Sequence, residues 1–106
     1  MNPKESDWKK FRNSLDRWRE RYLKRKNEEI RAILEKKDPD ETGKFWDIVE
    51  FQKNEIKVLR NCLDDSSKSN ISWHMALMKR HGMIDQKDIE EFSAELQEQL
   101  KEVNLP

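Results

Sequence analysis

Few side chains in this sequence could carry chemistry: one thiol, Cys62, and two imidazoles, His74 and His81. The two histidines are seven residues apart, so on a helix they share a face but lie about 10 Å apart along its axis. A metal ion needs ligand nitrogens about 2 Å away, which histidines four residues apart can supply. We therefore expect no metal site, and with two glycines in the chain we expect no phosphate-binding loop and no cofactor.

A nucleophilic thiol would require the fold to bring Cys62 to His74. Cys62 lies on an apolar stripe of its predicted helix, and buried cysteines usually behave as inert small hydrophobes. A small-ligand or thiol-dependent enzyme built around Cys62, His74 and the polar loop 64–69 is therefore the third hypothesis, and we expect that the chain is not an enzyme. A lone cysteine forms no internal disulfide, which is typical of cytoplasmic proteins.

The basic residues near the start of the chain could follow a phosphate backbone. The first 37 residues hold 13 Lys/Arg against 7 Asp/Glu, whereas residues 38–66 hold 4 against 8 and residues 67–106 hold 5 against 7. A row at seven-residue spacing is formed by Lys10, Arg17, Lys24 and Arg31. A nucleic-acid-binding accessory factor that uses this row is the second hypothesis. Acidic residues such as Glu20 are interspersed, so a solvated helix face is the simpler interpretation.

Composition indicates which elements position these side chains. Charged residues make up 42% and hydrophobic residues 34% of the chain, but four Trp and four Phe supply large burial per residue, so a thin core is feasible. Two glycines and three prolines favour long helices with short connections. The predicted fold is all-α, with four helices, or five, in one small bundle-like domain over residues 1–106. We expect residues 1–6 and 104–106 to be frayed.

The longest predicted helix runs from Asp7 to Lys37, with Ser6 or Asp7 as its cap. At 1.5 Å per residue it would be about 45 Å long, whereas a compact globule of this size is roughly 34 Å across. The helix therefore overhangs the domain, breaks, or is covered by another chain. Residues 25–29 are all polar, so its middle is expected to be solvated or to pair its charges with a partner.

Restart signals divide the rest of the chain. Asp38 followed by Pro39 predicts the start of a second helix, with Thr42 as a rival cap, and the helix continues to about Leu63. Its two apolar stripes predict two neighbours and hence a central position.

A third, short helix is predicted to begin at Ser69 or Asn70, to end near Gly82 and to be the most buried. Asp85 caps a fourth helix. Ser93 offers a second start that would divide that fourth helix in two.

The first helix gives the leading functional hypothesis. Its aromatic stripe and the basic residues beside it form the predicted partner-binding set: Trp8, Phe11, Arg12, Leu15, Trp18, Arg19 and Tyr22. Aromatic residues and Arg are the enriched anchors of interfaces, although core packing is the simpler interpretation of the stripe. We expect a small, non-enzymatic cytoplasmic protein that acts through protein–protein contacts, with itself as the expected partner in a homodimer. No apolar run approaches the ~20 residues of a membrane span.

Overall fold

Helix α1 runs without a break through residues Glu5–Glu35 in the computed structural model, which describes residues 3–106. It is followed by α2 (Glu41–Leu63), a single 3-10 turn (Lys68–Asn70), α3 (Ile71–Arg80), α4 (Gln86–Ile89) and α5 (Ala94–Glu102). No strand occurs between residues 3 and 106, which confirms the all-α class. Ser93 caps α5, so the fourth predicted helix is divided in two. Residues 1 and 2, where fraying was expected, lie outside the described part of the chain.

Helices α1 and α2 form a hairpin, because only residues 36–40 connect them. Tyr22 of α1 and Glu55 of α2 meet across it through a hydrogen bond. The described chain measures 53 × 24 × 20 Å, so its long axis exceeds the roughly 34 Å expected of a compact globule. Of the three alternatives, the structure shows the overhang, and α1 neither breaks nor folds back.

The buried core lies at one end of the hairpin, where the α3–α5 segment packs against α1 and the last turns of α2. Helix α1 contributes its aromatic stripe, and the best-buried side chains are Phe11, Trp18, Tyr22, Cys62, Ile71, Met75, Met78, Met83 and Leu96. Helix α3 supplies three of these in ten residues, in agreement with its predicted burial. We call this end, residues 3–23 and 58–106, the base.

Helix α2 packs against both α1 and α3, which are the two neighbours that its two apolar stripes predicted, but it is not a buried central helix. Only Lys44 and Cys62 are buried along it, while Phe45 is 60% and Ile56 is 43% exposed. The segments α3–α5 are short and all lie at the base, so they cannot cover the first two thirds of α2. The apolar side chains along this part of α2 therefore line an open surface.

The helix starts differ from the predicted ones in two places. Lys4 precedes α1 without a side-chain cap, and the carboxylate of Asp7, one of the two predicted caps, accepts hydrogen bonds from Ser93. Asp40, not Asp38 or Thr42, caps α2 by accepting from the Gly43 amide at 2.9 Å.

Gly43 lies in the first turn of α2, where a glycine is unfavourable for helix formation, but it has a steric reason to be there. A Cβ at this position would lie 2.6 Å from the Pro39 Cβ. The glycine therefore lets the proline ring approach the start of α2, and the tip of the hairpin closes tightly.

Candidate interaction surface

The aromatic stripe of α1 packs inside the base. Phe11 and Trp18 have no exposed surface and Tyr22 is 2% exposed, and the Trp18 ring lies 6.0 Å from the ring of Phe92. Trp8 stacks on Phe11, and Leu15 is partly buried against the same core. The chain's own α3–α5 segment therefore occupies the place where a partner was expected, and the structure assigns these side chains to the core.

The two arginines of the predicted partner-binding set, Arg12 and Arg19, remain on the surface. Arg12 lies over the ring of Trp8, at 5.4 Å from its centroid. Arg19 pairs with Asp16 at 3.1 Å, one turn earlier on the same helix. Both side chains are exposed, so they stay accessible to a partner even though the aromatic residues between them do not.

The row proposed for nucleic acid is divided between two parts of the molecule. Lys10 donates to the Glu91 carbonyl at 2.6 Å, and Arg17 lies 3.8 Å from the Glu91 carboxylate. Lys24 and Arg31 lie further along α1, beyond the base, and are exposed. Half of the row is thus engaged with an acidic residue of the chain itself.

Cys62 and His74 come together, but without the geometry of a nucleophile and its base. His74 Nδ1 donates to the Cys62 carbonyl oxygen at 2.7 Å, not to its sulfur. The thiol is fully buried, and this burial raises its pKa to about 11. A thiolate is needed for nucleophilic attack, so this arrangement is poorly suited to thiol chemistry. His81 lies just past the end of α3, and residues 3–106 contain no group of three or more potential metal ligands.

A carboxylate at the base fixes the direction of α1. Asp88 accepts from Arg21 at 2.5 and 3.2 Å, and Arg21 also donates to the Met83 carbonyl. Burial alone would raise the pKa of Asp88, but hydrogen bonds from Arg21 and from the Asp85 backbone, with the charge of Arg21, lower it. Arg25 adds a bond to the Gly82 carbonyl.

A second polar cluster joins α1 to α2 where the hairpin leaves the base. Tyr22 donates to Glu55, and Lys26 Nζ lies 3.8 Å from the same carboxylate. Burial, followed by the bond to Glu55, raises the pKa of Tyr22. In the polar stretch in the middle of α1, Lys26 is thus paired with carboxylates of the same chain, Glu29 on α1 and Glu55 on α2.

Beyond this cluster the hairpin projects as an arm, which we define as residues 24–57. None of its hydrophobic side chains belongs to the buried core or packs against it. Four of the five large hydrophobic side chains that are exposed in the described chain lie here, namely Leu34, Phe45, Trp46 and Ile56. Phe45 and Trp46 are 60% and 62% exposed and pack against each other edge to face at 5.2 Å.

A shallow groove follows the arm between its two helices. Two depressions of about 260 and 370 Å³ meet at Gln52. The α1 side of this groove is formed by Leu23, Lys26, Asn27, Ile30 and Leu34. The α2 side is formed by the apolar side chains Phe45, Ile48, Val49, Phe51, Ile56 and Leu59 and by the polar side chains Glu41, Lys44, Gln52 and Glu55. Most of the apolar side chains recur at spacings of three and four residues, which places them on one face of each helix, so the arm presents an apolar strip with charged side chains beside it.

The partner-binding set predicted from the sequence lies entirely on α1 and does not include the exposed Phe45 and Trp46 of α2. A signal was available: Phe45 and Trp46 are adjacent, and adjacent helical residues point about 100° apart. A single buried face cannot hold both side chains.

Within residues 3–106, no helix is both long and apolar enough to cross a membrane. Comparison of the chain with protein-family models, with curated proteins and with solved structures finds no match. Function is therefore inferred from the geometry of the chain's own residues.

Proposed function

We propose that this chain is a small, non-enzymatic, cytoplasmic protein that acts through protein–protein contacts, with the arm as its binding surface. The observation that carries the proposal is the concentration of exposed apolar side chains on the arm, outside a base whose own core is closed. Contiguous exposed apolar surface marks interaction sites, whereas single exposed hydrophobic residues are ordinary.

The composition of the arm also fits an interface. Phe45 and Trp46 are large aromatic side chains, the type enriched at the centre of interfaces, and charged residues surround them. The groove between α1 and α2 suits a helix of a partner, because an amphipathic helix can place its apolar face between two others. The buried thiol of Cys62 and its raised pKa further support a binding role over a catalytic one.

A photo-crosslinking amino acid in place of Trp46 tests this proposal. A benzophenone-bearing phenylalanine analogue at position 46 should form a discrete adduct with another polypeptide in cells that naturally contain the protein. The same analogue at Lys87, which is exposed on α4 in the base, is the matched control and should form little or none. Thermal unfolding of both variants verifies that the fold is retained.

Three outcomes contradict the proposal. Position 46 gives no adduct, or positions 46 and 87 give the same pattern, or the adduct from position 46 disappears on nuclease treatment. The last of these would favour the nucleic-acid hypothesis, with Lys24 and Arg31 as the basic residues beside the arm surface.

A further inference from the structure

The groove of the arm has the form of one half of a four-helix bundle. Its two helices are antiparallel, and each presents apolar side chains at spacings of three and four residues along one face. Bundles of four helices bury such stripes by packing one antiparallel pair against another. A second hairpin with the same face would therefore complete the bundle.

The open side of the groove faces away from the base. Arg21 and Arg25 bond to Asp88 and Gly82, so their side of α1 faces the base. Each lies two residues from Leu23, which lines the groove, and two helical residues are separated by about 200°. A second hairpin can thus approach the part of the groove beyond Leu23 and Leu59, which also pack against the core of the base, without meeting α3, α4 or α5.

We propose that the groove is occupied by the arm of a second copy of this chain, with the two hairpins face to face and pointing in the same direction. This inference rests on the proposed function and names the partner. A two-fold axis parallel to the hairpins relates the copies, so α1 of each copy lies against α2 of the other.

The distribution of charge favours two hairpins that point in the same direction over two that point in opposite directions. Residues 24–37 carry six Lys/Arg against three Asp/Glu, and residues 38–57 carry three against six. Hairpins that point the same way place the basic half of one arm on the acidic half of the other. Hairpins that point in opposite directions would place α1 on α1 and α2 on α2, which brings like charges together.

The level of each residue along the hairpin identifies specific contacts. Tyr22 contacts Glu55, so these two residues lie at the same height along the hairpin. Because the helices are antiparallel, each residue further along α1 is level with one residue earlier on α2. Glu20 is thus level with Lys57, and Arg31 with Trp46. All four are exposed, so in the dimer Glu20 of one copy is level with and near Lys57 of the other, and Arg31 is near Trp46.

The size of the face sets the strength of the dimer. It is roughly 22 Å long and 20 Å wide, from the helical rise and the spacing of packed helices. Two copies would bury on the order of 1,000 Å² in total, at the lower limit for specific interfaces. We therefore expect a reversible dimer that forms as concentration rises through the micromolar range.

A charge-swap experiment tests both the partner and the arrangement. Sedimentation equilibrium should show the mass rising from 12.9 kDa toward twice that value. Glu20→Lys and Lys57→Glu should each weaken the dimer about tenfold, because an attractive surface pair becomes repulsive at two symmetric places. The double variant should restore the affinity. The matched reversals Glu90→Lys and Lys87→Glu, on or beside α4, should change nothing.

Several results would overturn the inference. One is a monomer at every concentration up to about 1 mM, where even weak specific pairs associate. Others are a dimer indifferent to both single reversals, or a double variant weaker than either. The homodimer can be ruled out without ruling out the proposed function. If the chain is a monomer but position 46 crosslinks to a different protein, the arm is still a binding surface and only a second copy is excluded as its partner.

Discussion

At the scale of single residues, Asp88 has the largest number of structural roles. Its carboxylate accepts from Arg21, and it forms a reciprocal capping box with Asp85 at the start of α4. It is 5% exposed, so a buried charge here is tolerated because it is paired. One side chain thereby fixes the start of α4, the turn that follows α3 and the direction of α1.

Asp88→Asn should make stability less dependent on pH. The pKa of Asp88 is lowered in the folded chain, so its ionised form stabilises the fold above the unfolded-state pKa and this contribution is lost as pH falls through the folded value. The variant should be about 1–3 kcal/mol less stable at pH 7. Urea unfolding at pH 7, 4 and 3 should show the difference narrowing with acidification.

Glu90→Gln is the control for this measurement, because Glu90 is an exposed carboxylate that follows α4 directly. Its unfolding free energies should parallel those of the unmodified chain at all three pH values. A constant difference between Asp88→Asn and the unmodified chain from pH 7 to pH 3 would contradict the role given to the Arg21–Asp88 pair.

At the scale of elements, helix starts decide how the base closes. Ser93 caps α5 by accepting from the Leu96 amide at 3.2 Å, and its own N–H and hydroxyl donate to Asp7. The first turn of α1 is thereby tied to the first turn of α5. A single serine both divides the last helical segment and connects its second part to the other end of the chain.

Ser93→Ala should therefore lower the unfolding free energy by about 1–2 kcal/mol, because it removes a cap and a buried hydrogen bond. Ser6→Ala should change it by less than about 0.5 kcal/mol, since Ser6 is exposed within α1 and does not cap it. Denaturant unfolding of both variants measures the difference. Equal losses would mean that Ser6 contributes to the start of α1 after all.

Local signals predicted much of this fold. The capping box at Asp85 and the stop at Gly82, which has a φ of 75°, depend on residues close together in sequence. The start of α2 was misplaced because Asp38 and Asp40 are both good caps. The structure shows Pro39 packed against Gly43, a contact that composition does not reveal.

The proposed binding surface was less predictable because its position depends on tertiary packing. An apolar stripe indicates that a helix face is covered, but not by what. On α1 the stripe at Trp18 meets Phe92 of the base, whereas on α2 the stripe at Phe45 and Ile56 stays exposed. Which half of the hairpin α3–α5 would cover follows from long-range contacts that periodicity does not encode.

At the scale of the molecule, the base and the arm are separable. We expect that a shortened chain lacking residues 27–33 and 44–50 keeps the base intact, because one heptad is removed from each helix at the same level and the Tyr22–Glu55 bond remains. Solution scattering should show the longest dimension reduced by about 10 Å. The α3–α5 amide resonances should keep their positions.

Removal of residues 27–33 alone is the control for the shortened chain. It shortens α1 but not α2 by two turns, so residues that face each other across the hairpin no longer match. This variant should therefore unfold at a lower temperature. Loss of the α3–α5 resonances in the doubly shortened chain would contradict the separation of base and arm.

Helix α1 is unbroken from the base to the tip of the arm. A partner bound near Trp46 is therefore held at a fixed distance from the base, and this distance is set by the length of the helix and not by a flexible linker. In evolution this distance could change only in steps, since one heptad added to each helix lengthens the arm by about 10 Å and rotates its tip by about 20°. Spacing and orientation would therefore change together.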